Sequence, residues 1–216
     1  IDLAQSHMQM GTRESVPDVA RNLDRWLDVI MARVFAHQTV IDLAAYARVP
    51  VINGLSDHSH PCQIMADLQT IEEHRGRLTT LKVAYVGDGN NVTTSLIYAA
   101  GILGMDLHVG APEGYQPPAA VLDQARELAL KSDGEIVVHA DPVAAVEGAD
   151  VIYTDAWVSM GQEAEAEERK RVFAVGFLEH DDTRALNTAF DVIVRTPAAQ
   201  RPDPCMELNR RREPKS

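Results

Sequence analysis

From Ser15 to Trp157 the chain alternates between two kinds of segment. In one, apolar residues recur every three or four positions, as at Val16, Val19, Leu23, Trp26 and Leu27 over Ser15 to Asp28. The other is a short β-rich run such as "DVIMARVF", "VPVING", "LKVAYVG", "MDLHVGAP", "EIVVHA" or "ADVIYTDAW". The first pattern is that of an amphipathic helix, the second that of a buried strand. Helical stretches are expected over Thr39 to Ala47, from near His60, and over Val92 to Leu103, Pro118 to Lys131 and Pro142 to Glu147. Strands joined by helices across short loops are parallel, and right-handed crossovers place those helices on both faces of a sheet. The expected fold class is therefore α/β, with two doubly wound parallel-sheet domains, the first incomplete, joined by an interdomain helix. The charged and Gly-containing stretch "HRGRLTTLK" marks the seam. Residues 1–76 are expected to form one domain and 77–195 the other, with 196–216 a disordered tail.

Charge and composition remove several classes of function. With 20 Lys and Arg against 32 Asp and Glu, the formal net charge of −12 offers no basic footprint for nucleic acid or an anionic membrane. No apolar run approaches the roughly 18 residues of a membrane span. Cys62 and Cys205 lie far apart without metal-like spacing, so no metal site and no disulfide framework are expected, and a reducing, cytoplasmic setting is the default. "IDLAQSHMQMGTRES" has neither an initiator Met nor the features of a signal peptide and reads as cut at its front.

In a doubly wound sheet, ligands bind beyond the carboxyl ends of the strands. Four strand ends carry polar clusters: Arg33 in "DVIMARVF", "GLSDHSHPCQ" after "VPVIN", Asp88, Asn90 and Asn91 after "VAYVG", and "TDAWVSMGQE" after "ADVIY". Pro61 suits the first helical position, which makes His60 the N-cap and turns the amides of Cys62 and Gln63 out of the helix start. Such an end holds anions. Its plainer reading is a capped helix entry containing a histidine. Arg33 interrupts an apolar strand and suits either a phosphate or a partner carboxylate. Gln9, in the polar Gly turn "MQMGTRES", is a further candidate donor.

"VGDGNN" approaches a dinucleotide fingerprint, but Val92 stands where the third Gly belongs, and "HVGAP" offers no acid for a ribose. No cofactor is expected. Asn91 is read either as a helix cap or as an amide donor to a substrate. Asp155, directly after a strand, suits a cationic amine, and Ser159, Met160 and Gly161 form a polar loop able to hinge.

Taken in order and spacing, "MQMGTRES", "IMARVF", "VPVINGLSDHSHPCQIMADLQTI", "LKVAYVGDGNN" and "DAWVSMGQEAEAEER" resemble the ornithine branch of the carbamoyltransferases, over about three quarters of the chain. "HPCQ" occurs across that family, whereas "GDGNN" with D-x-W-x-S-M-G-Q-E is specific to the ornithine branch. The resemblance implies transfer of a carbamoyl group from carbamoyl phosphate to the δ-amine of L-ornithine, in a homotrimer whose neighbouring subunit completes the phosphate site. It implies carbamoyl phosphate contacts at Gln9, Arg33, His60, Pro61, Cys62 and Gln63, with Arg33 and His60 also polarising the carbonyl, and ornithine contacts at Asn91, Asp155, Ser159 and Met160. The family's Ser-Thr-Arg-Thr-Arg motif does not occur in the sequence. Where His-Cys-Leu-Pro should follow "FDVIV", the chain reads "RTPAAQRPDPC", a change that fits a tail read out of frame. The alternative is a non-catalytic carbamoyltransferase-like remnant that binds ligands or regulates.

Overall fold

The structure is a computed structural model and describes residues 10, 11, 13–155, 163–177 and 191–194. The chain divides into two compact units, one of Ile1–Ala66 with Asn90–Leu96, the other of Asp67–Gly89 with Ile97–Ser216.

The first unit is built on a strand–helix–strand crossover. Helix α1 (Val16–Leu23) starts at Ser15, whose hydroxyl accepts the Asp18 N–H. The periodicity predicts a helix continuing to Asp28, but it stops at Leu23. Asp24, the C-cap, still has helical backbone angles (φ −55°, ψ −19°), and its carboxylate accepts the backbone N–H groups of Arg48 (2.9 Å) and Val49 (3.0 Å) and the Arg48 Nε (2.5 Å). Strand β1 (Ile30–Arg33) pairs in parallel with β2 (Val51–Leu55), and α2 (His37–Tyr46) connects them. Ala20, Ala32, Val34, Val40 and Leu43 form a buried cluster there. Helix α3 (Pro61–Arg75), which belongs to the second unit from Asp67 on, follows, with Ile64, Leu68 and Ile71 buried along one stripe at a spacing of four and three.

The second unit carries β3 (Lys82–Val86), α4 (Asn91–Leu103, whose first six residues belong to the first unit), β4 (Asp106–Gly110), α5 (Ala119–Ser132), β5 (Glu135–His139), α6 (Pro142–Val146), β6 (Val151–Thr154), α7 (Ala166–Phe177) and β7 (Asp191–Val194). Its strands form one sheet in the order β5-β4-β3-β6-β7. Pairing is parallel from β5 through β6, as the alternation predicts. Strand β7, which lies beyond the predicted alternation, runs antiparallel to β6, with Thr154 opposite Asp191. An antiparallel edge needs no crossover helix, so helix–strand alternation cannot announce it. Val83 through Val86 are all buried, the continuous apolar run expected of a strand covered on both faces. The order reverses direction at β3: β4 lies on one side of it and β6 on the other, which makes the carboxyl ends of β3 and β6 the switch point of this sheet.

Candidate functional site

In the first unit, polar residues gather where β1 and β2 end. The carbonyl of His60 accepts the Ile64 N–H (3.4 Å), the first bond of α3, so His60 is the N-cap and Pro61 the first helical residue, as the sequence predicts. Behind His60 lies an anchor that sequence reading missed. The His60 N–H donates to Ser95 Oγ (2.8 Å), and the Ser95 hydroxyl donates to the Asn91 carbonyl (3.2 Å). Ser95 is buried inside α4, where a serine gives no sequence signal beyond a polar residue on an apolar helix face.

The loop before His60 is tied down as well. Ser56 is fully buried; its hydroxyl accepts the Ser59 N–H (3.2 Å) and meets His37 Nδ1 (2.9 Å). Asn53 Nδ2 donates to Ser59 Oγ (2.9 Å), and the Cys62 thiol donates to the Asn53 carbonyl (3.4 Å). That thiol is thus turned toward β2, leaving the backbone N–H as what Cys62 offers a ligand. His37 lies with its ring 4.9 Å from that of His58; burial first, and then His58, hold its pKa below the ordinary histidine value.

Arg33 closes β1 and is exposed, at a register shift where it lies opposite Leu55. It makes no hydrogen bond or ion pair among the described residues, so the carboxylate-partner reading finds no support. A guanidinium kept at a strand end without a protein acid is suited to an anionic ligand. Gln63 stands half-buried in the first turn of α3.

At the start of α4 the two asparagines divide the work differently from the capping reading of Asn91. Asn90 is the cap: its Oδ1 accepts the N–H groups of Val92 (3.0 Å) and Thr93 (3.1 Å). Asn91 is the first helical residue, and its Nδ2 donates to the Ser56 carbonyl (2.7 Å). An amide nitrogen has two protons, so one remains to offer.

In the second unit, Asp155 follows β6 directly and is buried. The Thr154 hydroxyl donates to the Val86 carbonyl (2.8 Å), which fixes the ends of β6 and β3 to each other. The Tyr153 hydroxyl donates to Asp67 Oδ2 (2.8 Å); burial, and then the Asp67 carboxylate, push its pKa well above that of an ordinary tyrosine. Beyond β3, the carboxylate of Asp88 pairs with Arg169 of α7, a partner nothing in the sequence announces. Gln9, Ser159, Met160 and Cys205 lie outside the described residues. Among the described residues no cluster of three or more His, Cys, Asp or Glu could hold a metal ion.

Comparison with known proteins bears on both units. Residues 1–73 match the model of the aspartate/ornithine carbamoyltransferase carbamoyl-P binding domain. Residues 79–194 match that of the Asp/Orn binding domain of the same family. The chain belongs to the aspartate/ornithine carbamoyltransferase family. It is 57% identical over 166 residues to the ornithine carbamoyltransferase of Thermococcus kodakarensis, an alignment covering 77% of this chain and 53% of that one. The solved ornithine carbamoyltransferase of Pyrococcus furiosus superposes with a TM-score of 0.76 at 54% identity, over 80% of this chain and 55% of that one. The anabolic ornithine carbamoyltransferase of Campylobacter jejuni gives a TM-score of 0.78 at 34% identity, over 86% and 61%. This carbamoyltransferase-family chain thus spans about half the length of the curated relatives it matches. Among the described residues no helix is long and apolar enough to cross a membrane.

Proposed function

We propose that the chain belongs to an enzyme that transfers the carbamoyl group of carbamoyl phosphate to the δ-amine of L-ornithine, giving L-citrulline and phosphate. In this reading residues 1–76 bind carbamoyl phosphate and 77–195 bind ornithine. The protein works as a cytoplasmic homotrimer in arginine metabolism, without metal or cofactor.

The observation that carries the reading is the placement of His60. It caps α3 with its backbone locked to Ser95, at a helix end whose dipole favours an anion. Gln9, Arg33, His60, Pro61, Cys62 and Gln63 contact carbamoyl phosphate, and Arg33 and His60 draw charge onto the carbonyl oxygen as the tetrahedral intermediate forms. Asn91, Asp155, Ser159 and Met160 hold ornithine. The neutral δ-amine attacks the carbonyl carbon, a C–N bond forms, the C–O bond to phosphate breaks, and the amine proton leaves with the departing phosphate or to solvent. An alkylamine with an ordinary pKa of about 10.4 must give up its proton before it attacks, so the site has to favour the neutral form by several kcal/mol at neutral pH.

A non-catalytic module that keeps ligand binding is the second reading, favoured by "RTPAAQ" standing where the family's His-Cys-Leu-Pro follows the last strand. Titration of the purified chain with carbamoyl phosphate, and a citrulline assay with both substrates, test both readings. Carbamoyl phosphate binding that weakens at least tenfold in His60→Ala supports the assigned site, and binding that is unchanged in the variant rejects it. The expected result of the citrulline assay is no turnover by the chain alone; turnover that is lost in His60→Ala would remove the second reading.

A further inference from the structure

The turn between β3 and α4, Gly87 to Gly89, is gripped from four sides within the second unit. The Tyr85 hydroxyl donates to the Asp88 carbonyl (3.0 Å). The Gly89 N–H donates to the Tyr115 carbonyl (2.7 Å). A Cβ on Gly89 would lie 2.4 Å from the nitrogen of Pro117, so the turn presses against the 115–117 loop at a distance only glycine permits. Finally, Arg169 of α7 ion-pairs with the Asp88 carboxylate, with the two side chains only 4% and 11% exposed.

Arg169 is itself held in place. Its guanidinium lies 5.0 Å from the centre of the Tyr115 ring and 5.7 Å from that of Phe173, and those two rings meet edge to face at 5.0 Å. Glu165, one helical turn earlier, stands 3.5 Å from its Nη1. An arginine buried on two aromatic faces loses little freedom when it pairs, so it acts as a rigid strut between α7 and the turn.

We propose that Arg169 is a positioning residue for the amine-substrate end of the site. It neutralises Asp88, a second carboxylate at the switch point of the sheet that would otherwise compete for a cationic amine, and it fixes the turn that runs in the chain directly into Asn90 and Asn91. Asp155 directly follows the neighbouring strand β6, so a diamino acid held there meets a turn whose carboxylate is already ion-paired. The role rests on the ornithine reading above.

The test uses the full 216-residue chain carrying Arg169→Gln, Arg169→Lys or Asp88→Asn together with Arg169→Gln. Two properties are measured, amide hydrogen exchange and binding of L-ornithine and of carbamoyl phosphate. In Arg169→Gln, exchange at residues 87–91 is expected to rise at least tenfold while β4 keeps its protection, and L-ornithine binding to weaken about tenfold with carbamoyl phosphate binding unchanged. The double variant, which removes the uncompensated carboxylate, is expected to recover part of the ornithine affinity. If Arg169→Gln fails to fold, Arg169→Lys, which keeps the charge but loses the planar fork, is expected to show the same two changes in smaller measure. Wild-type exchange at 87–91 in these variants overturns the proposal. So does faster exchange with unchanged ornithine affinity, because the pair would then be structural only. A wild-type chain that binds no L-ornithine at all would sink the functional reading and with it the substrate role of Arg169, while the exchange data would still show whether the strut exists.

Discussion

The backbone N–H of His60 donates to the hydroxyl of Ser95, 35 positions later in the chain. Ser95 passes the constraint on by donating to the Asn91 carbonyl (3.2 Å). One small side chain therefore holds the N-cap of one helix to the first turn of another, and both ends of the link are residues proposed to contact substrates. A capping residue contributes to an anion site only if its backbone cannot wander, because the amides that follow it take their direction from it.

Removing that hydroxyl has a predictable cost. In Ser95→Ala the His60 N–H loses its acceptor in a partly buried place, and such an orphaned donor costs about 1–3 kcal/mol. Urea denaturation is expected to show a loss of that size, and carbamoyl phosphate binding to weaken with it. Ser95→Thr, which keeps the oxygen, is expected to recover part of both. An alanine variant with wild-type stability and binding would show that the bond carries nothing.

Asn90 is expected to matter to α4 as a cap does. Its Oδ1 accepts from Val92 and Thr93. Asn90→Ala is expected to cost about 1 kcal/mol, with 2 as an upper value, and Asn90→Asp much less. Unfolding free energies of the two variants measured side by side check this, and equal losses would contradict the capping account.

Much of this was legible in the sequence, for identifiable reasons. Helix starts are local matters of one or two residues, so Pro61 placed the start of α3 correctly. Strand runs such as Val83–Val86 are continuous because both faces are buried, and that also shows in sequence. What stayed hidden depends on partners distant in the chain. The bonds from Arg48 and Val49 to Asp24, from His60 to Ser95 and from Arg169 to Asp88, 81 positions earlier, are of this kind. Asn90 and Asn91 are adjacent and identical in type, so only the geometry tells the cap from the residue whose amide faces the Ser56 carbonyl.

Acid is expected to destabilise the second unit through a histidine pair. His108 Nδ1 lies 2.8 Å from His139 Nε2 with the rings stacked, and His108 Nε2 lies 3.1 Å from Asp106 Oδ1. Burial, and then the nearby Lys82, hold the His108 pKa below the ordinary 6.5; His139 acts in the same direction, while Asp106 and Glu135 oppose it. A histidine whose pKa is lower folded than unfolded binds more protons when unfolded. Its contribution is therefore whole above about pH 6.5 and is lost as pH falls through the lowered folded value. The pKa of His37, lowered by burial, acts in the same direction. Urea midpoints measured from pH 8 to pH 5 are expected to decline, with a shallower decline in His108→Gln. An unchanged slope in that variant would count against the pair.

Two glycines are expected to resist substitution for opposite reasons. At Gly89 a methyl group would meet backbone, 2.4 Å from Pro117 N and 2.5 Å from the Gln116 carbonyl carbon, and neither atom can give way without moving the loop. At Gly114 nothing lies within 4 Å, but φ is +85°, a conformation that a Cβ penalises by about 1–2 kcal/mol. Gly114→Ala is thus expected to lose about 1 kcal/mol with ligand binding intact. Gly89→Ala is expected to lose about 1–3 kcal/mol or more and to disturb the turn leading into Asn91. Replacing Gly114 by Asn, which tolerates left-handed backbone, is expected to recover stability there, whereas no residue larger than glycine is expected to do so at position 89. Denaturation curves for these variants, read beside ornithine titrations, separate backbone strain at one glycine from steric exclusion at the other.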